Sequence, residues 1–191
     1  MQHEVGTVAR YDAVAMALHW LLALALIGQI LLGFYLQEIP RGVPARSWWV
    51  NLHKSTGLVL FALILLRLGW RLAHPPPALP AMLSAWERKA ASFGHALLYA
   101  CMLALPLSGY IASNFSKWGV KLFNVVELPP WGPEDKTVYA VFNGAHRVLA
   151  VLFATLVVLH VLAALKHLLV DRDRVFDRML PRRRSGHGAR T

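Results

Sequence analysis

Charge is scarce in this 191-residue chain: Asp, Glu, Lys and Arg together make 16%, where a soluble domain carries about a quarter. Cysteine is scarcer still. Cys101 stands alone, which excludes a disulfide framework, a Cys-based metal site and the CxxCH attachment of a covalent haem. No Ser/His/Asp arrangement supports hydrolytic catalysis. What fills the space is apolar: 57% of residues, with a mean hydropathy of +0.45.

That apolar content is concentrated in four stretches, about residues 13–36, 53–73, 90–113 and 145–170, none of which contains an Asp or Glu. A hydrocarbon core about 30 Å thick needs roughly 20 helical residues, and each stretch supplies them. Only helices or closed barrels satisfy their backbone in lipid, and four segments cannot close a barrel. The predicted fold is therefore an all-α integral membrane protein, a four-helix up-and-down bundle. The first stretch is too long for a signal-peptide core and no small-residue cleavage site follows it, so it is expected to be retained.

Thirteen of the Lys/Arg residues fall on the side that holds both termini. Seven fall on the other: Arg41, Arg46, Lys54, Lys117, Lys121, Lys136 and Arg147. The positive-inside rule places the termini in the cytoplasm. The net charge of +10 then reflects topology and contact with membrane lipid, and no nucleic-acid partner is expected. The basic tail 182–191 with Arg182-Arg183-Arg184 lies at that surface. Pro75-Pro76-Pro77 ends the second helix, and residues 114–140 read as the longest outer loop.

Ionisable groups inside a membrane are expensive and mark functional positions. His19, His53, His95, His146 and His160 all fall in the stretches. His146 and His160 are fourteen residues apart, four turns at 3.5 residues per turn, hence on one face and about 21 Å apart in depth. With alternating helix directions His53 joins His146 at the outer level, while His19 and His95 both reach the inner level beside His160. Two layers of facing imidazoles suit two bis-His haems. Gly33 and Gly109 follow His19 and His95 by fourteen residues, leaving bare positions at the outer level; Gly57, one turn after His53, is expected to do the same. Lys54 and Arg147, beside the outer histidines, are expected to pair with haem propionates. A metal or proton transporter would want carboxylates near these histidines, and the stretches have none.

Ala17-Leu18-His19-Trp20, Leu52-His53-Lys54-Ser55-Thr56-Gly57, Arg67-Leu68, His95-Ala96-Leu97-Leu98-Tyr99 and Pro106-Leu107-Ser108-Gly109-Tyr110 form a recognisable pattern. With Ala145-His146-Arg147, Leu159-His160 and Lys166-His167, the chain resembles the bacterial cytochrome b561 family over roughly residues 8–181. Within it the chain resembles the small stand-alone members, which are similar to superoxide oxidase. The resemblance implies two b haems, the outer on His53 and His146 and the inner on His19 and His160, which breaks the tie between His19 and His95. It implies His95 and His167 near an inner ubiquinone site, His167 lying seven residues beyond His160 on the same face. The implied reaction passes electrons from superoxide, or another periplasmic donor, to ubiquinone. Related members serve instead as quinol-linked carriers, or as membrane anchors of a dehydrogenase or hydrogenase, so a partner oxidoreductase subunit is the alternative.

Overall fold

The computed structural model describes residues 9–78 and 82–180. Four long helices follow one another, α1 (Ala13–Glu38), α2 (Pro44–Ala73), α3 (Ala85–Asn114) and α4 (Lys136–Lys166). All four are long and apolar enough to cross a membrane. The spans are longer than the apolar stretches because their start signals lie outside them. Pro44 sits in the first turn of α2. Ser84 and Glu87 form a reciprocal capping box for α3, and Asp135 accepts from the Thr137 and Val138 amides to start α4. Asp12 caps α1 by accepting from Ala15 N at 2.9 Å. That amide, helped by the Trp70 indole, holds the Asp12 carboxyl below the usual carboxylate range.

The bundle is inverted relative to a soluble protein. Leu24, Leu31, Val148 and Val151 are between 58% and 70% exposed, an arrangement that lipid, and not water, accommodates. Inside, Leu22, Leu60, Ile64, Cys101, Met102 and Phe153 pack as one cluster. Phe153 lies midway between His146 and His160 in sequence, so this apolar plug separates the two ends of the bundle.

One end carries both described chain termini. After α4 the chain makes a π turn, His167–Asp171, then a short 3-10 turn, Phe176–Met179, that folds back against Ala9 and Tyr11. Buried Arg178 fixes it, donating to Ala9 O (3.1 Å), Pro77 O (2.6 Å) and Ala78 O (2.9 Å). Tyr11 N donates to Arg178 O in return, at 3.2 Å. The residues read as a basic tail, 182–191, lie outside the described residues.

The other end carries secondary structure where a long loop is predicted. Within residues 114–140, β1 (Val120–Leu122) and β2 (Val126–Leu128) form an antiparallel hairpin in which Lys121 opposes Glu127, and α4 already begins at Lys136. Phe123 and Asn124 turn the hairpin at positive φ (46° and 61°), a conformation that costs a Phe more than the Gly or Asn usual there. Contacts to α2 hold it. Ser55 Oγ accepts from Phe123 N at 2.7 Å while donating to Asn51 O at 2.6 Å, and Asn51 Nδ2 donates to Asn124 Oδ1.

Ser55 is fully buried, so Ser55→Ala leaves the Phe123 amide without its acceptor, at a cost of about 1–3 kcal/mol. Thermal unfolding of the detergent-solubilised protein should show that loss, with protease cleavage appearing first in the hairpin. An unchanged melting temperature and intact hairpin would contradict it.

Candidate functional site

At the hairpin end, His53 on α2 and His146 on α4 face each other, ring centres 6.2 Å apart and planes at 89°. At the terminal end, His19 on α1 and His160 on α4 are 6.3 Å apart with planes at 73°. His95 on α3 approaches the same His160 at 5.4 Å and 68°. Histidine thus comes from all four helices and meets at two levels, with α4 contributing to both.

Two imidazoles bonded to one metal at about 2.0 Å each have ring centres about 6.3 Å apart. The His53–His146 and His19–His160 separations fit that value; the His95–His160 separation is too short. The ring surroundings fit ligation too. His146 Nδ1 donates to Leu105 O at 2.9 Å, with Ser108 Oγ at 3.4 Å. Such a bond fixes the tautomer and leaves Nε2 free. His19 Nδ1 and His53 Nδ1 are buried without a hydrogen-bond partner among the described residues, so each ring has a nitrogen that no described residue satisfies.

Glycine makes room around the outer pair. A Cβ at Gly109 would stand 3.0 Å from both Cε1 and Nδ1 of His146, and one at Gly33 would stand 3.4 Å from His53 Cε1. Gly33 lies on α1 and Gly109 on α3, so the two glycines flank the two histidines. Gly57 does something else than expected: it faces Gln29, whose Nε2 would be 3.3 Å from an added Cβ. Gln29 Nε2 donates to His53 O at 2.8 Å and its Oε1 accepts from Thr56 Oγ1 at 2.6 Å. That polar stitch between α1 and α2 fixes the backbone of His53.

Lys54 Nζ donates to Gly119 O at 2.7 Å, tying the start of α2 to the loop before β1. Arg147 is exposed beside His146. His167 begins the π turn, and its Nδ1 lies 2.6 Å from Asp173 Oδ2 and 3.2 Å from Asp171 Oδ2. The structure brings His95 to the inner histidines; for His167 it shows a carboxylate clamp at the end of α4.

Three further residues, none of them a predicted site residue, gather towards the terminal end. Arg67 and Arg71 of α2 both lie over the Tyr99 ring of α3, at 5.7 and 5.5 Å. The signal was present: Arg67 follows His53 by fourteen residues, the interval that separates the two histidines of α4, and Tyr99 follows His95 by one turn.

The chain matches the family model described as prokaryotic cytochrome b561 over residues 10–182. It is 33% identical to cytochrome b561 homolog 2 of Escherichia coli K12, over 96% of this chain and 97% of that protein. It is 28% identical to cytochrome b561 homolog 1 of the same organism, covering 92% of this chain and 99% of that one. A probable superoxide oxidase of Yersinia pestis, CybB, is 27% identical over 92% and 98% of the two chains. Four membrane-capable helices, imidazoles converging at two levels and a family match over nearly the whole length lead to one conclusion: the chain belongs to the prokaryotic cytochrome b561 family, multi-pass membrane electron-transfer proteins that bind haem b.

Proposed function

We propose that this protein carries electrons across the bacterial inner membrane on two b haems, one held by His53 and His146 and the other by His19 and His160, and oxidises superoxide at the expense of ubiquinone. The observation that carries the reading is the pair of ring-centre separations, 6.2 and 6.3 Å, each the span of two imidazoles on one iron. Haem b, when bound, supplies one-electron transfer. Overall, two superoxide anions leave as dioxygen, while one ubiquinone takes two electrons and two protons and leaves as ubiquinol.

The chain's own residues prepare both faces. In this reading the termini are cytoplasmic, by the thirteen-to-seven excess of Lys/Arg on their side. The hairpin face, then periplasmic, has seven Lys/Arg against Glu38, Glu127, Glu134 and Asp135, a net charge of +3 that draws a small anion and is screened by salt. Apart from Lys54 and Arg147, Lys117 contributes to that field, whereas Lys121 is partly neutralised by Glu127 at 3.2 Å. Lys54 and Arg147 are the residues assigned to the outer haem's propionates. At the cytoplasmic face His95 and His167 bind ubiquinone and relay its protons, with Asp173 orienting His167 through Nδ1. The likeness to a probable superoxide oxidase supports superoxide as donor.

Haem content tests the ligand assignment. The purified protein should hold two non-covalent low-spin haems b per chain by pyridine haemochrome against protein. His53→Ala or His146→Ala should leave one, and a well-folded wild-type preparation with one haem or none contradicts the two-site reading. His19→Ala and His160→Ala should each remove the inner haem, while His95→Ala keeps both and slows quinone reduction. Loss of a haem in His95→Ala but not in His19→Ala would reverse that assignment.

The donor is tested by exposing the oxidised, partner-free protein to a superoxide source. Haem reduction should be fast, insensitive to catalase and slowed by salt. Lys117→Glu and Lys121→Glu should each slow it, since each lowers the charge of that face by two. No reduction by superoxide, with ready reduction by quinol, would leave a quinol-linked carrier or a membrane-anchor subunit in its place.

A further inference from the structure

Arg67 and Arg71 stand one helical turn apart on α2 and share the ring of Tyr99. Like charges at this spacing repel, and arginine inside a membrane normally finds a partner. Among the described residues neither arginine has a carboxylate partner; the ion pairs there involve other residues. Asp12 reaches this end of the bundle, but its carboxylate is occupied by Ala15 N and by Trp70 Nε1, at 2.9 and 3.1 Å. The Tyr99 hydroxyl is buried with no hydrogen-bond partner among the described residues. Arg67, Arg71 and Tyr99 line one cleft together with Tyr11, Trp70 and Met179.

Two uncompensated cations and an orphaned buried hydroxyl in one cleft call for the same thing, a ligand with about two negative charges and several acceptor oxygens. The depth says which ligand. Arg67 lies fourteen residues along α2 from His53, as His160 lies along α4 from His146, so Arg67 reaches the level of the inner histidines. Tyr99 follows His95 by one turn, and the His95 ring is 5.4 Å from that of His160. We propose that Arg67, Arg71 and the Tyr99 hydroxyl form a carboxylate-binding site that takes the propionates of the haem held by His19 and His160. This rests on the inner-haem assignment above. A phosphate of an acidic phospholipid has similar chemistry, and the experiment separates the two.

Redox titration of the purified holoprotein gives the first readout, with the inner component identified by its survival in His53→Ala. Arg67→Gln and Arg71→Gln should each lower the inner midpoint potential and leave the outer one unchanged, since removing a nearby cation favours the ferric form. Arg67→Lys should largely restore it. Loading with haem dimethyl ester, whose propionates are blocked, gives the second. Wild-type protein should bind the ester at the inner site more weakly than haem by roughly tenfold or more, the scale of a charge-assisted hydrogen bond. The Arg67→Gln/Arg71→Gln protein should lose that discrimination, and Tyr99→Phe, which keeps the ring, should reduce it in part. An unchanged inner potential with unchanged discrimination overturns the proposal, as does loss of co-purified anionic phospholipid in the arginine variants with both haems unperturbed. A wild-type protein lacking the inner haem overturns the haem assignment instead, so the two failures are distinguishable.

Discussion

The backbone of α4 carries His146 and His160 fourteen residues apart, about 21 Å along the axis, and each ring meets an imidazole from a different helix. This interval sets the requirements on the other three helices. α2 must bring His53 to the level of His146, α1 must bring His19 to the level of His160, and whatever else occupies those levels must be small or complementary. Gly33 and Gly109 are the small answer at one level; at the other, Arg67 fills the corresponding position on α2, with Tyr99 one turn beyond His95 beneath it. The apolar plug around Leu22, Ile64 and Phe153 lies between, keeping the two levels separate.

Lipid outside the bundle dictates where polarity goes. With Leu24 and Val148 facing outward at 70% exposure each, polar groups must find partners within the protein. Gln29 and Thr56 bond to each other and to the backbone of α2, so that the turn carrying His53 is held from the α1 side. Ser55, on the next position, faces the hairpin and accepts from Phe123 N. Consecutive residues of one turn therefore fix His53 to two different elements. Pro106, inside α3, has no amide to give Met102 O, and the carbonyl of its neighbour Leu105 accepts from His146 Nδ1.

Much of this was legible in the sequence, for a physical reason. Span length, the absence of carboxylates and the four-turn histidine interval are periodic, local signals, and the four helices and the two histidine levels follow from them. The ends of the helices were less legible because Ser84, Glu87 and Asp135 act from outside the apolar stretches. The hairpin was hidden: its strands are three residues each, and Phe123 occupies a positive-φ position where no glycine advertises the turn. Gly57 illustrates a different limit. Its helical position was plain, but the partner it accommodates, Gln29, belongs to another helix and depends on how α1 is rotated. Arg67 reads naturally as one more cytoplasmic-side cation until its interval from His53 is compared with that of α4.

The central claim is that two independent bis-imidazole iron sites share one helix. Electron paramagnetic resonance of the oxidised protein addresses it directly. The near-perpendicular imidazole planes at the two levels, 89° and 73°, favour strongly anisotropic low-spin ferric signals, and two should be present. His53→Ala should abolish one and His19→Ala the other. A single signal, or the loss of the same signal in both variants, would contradict the account.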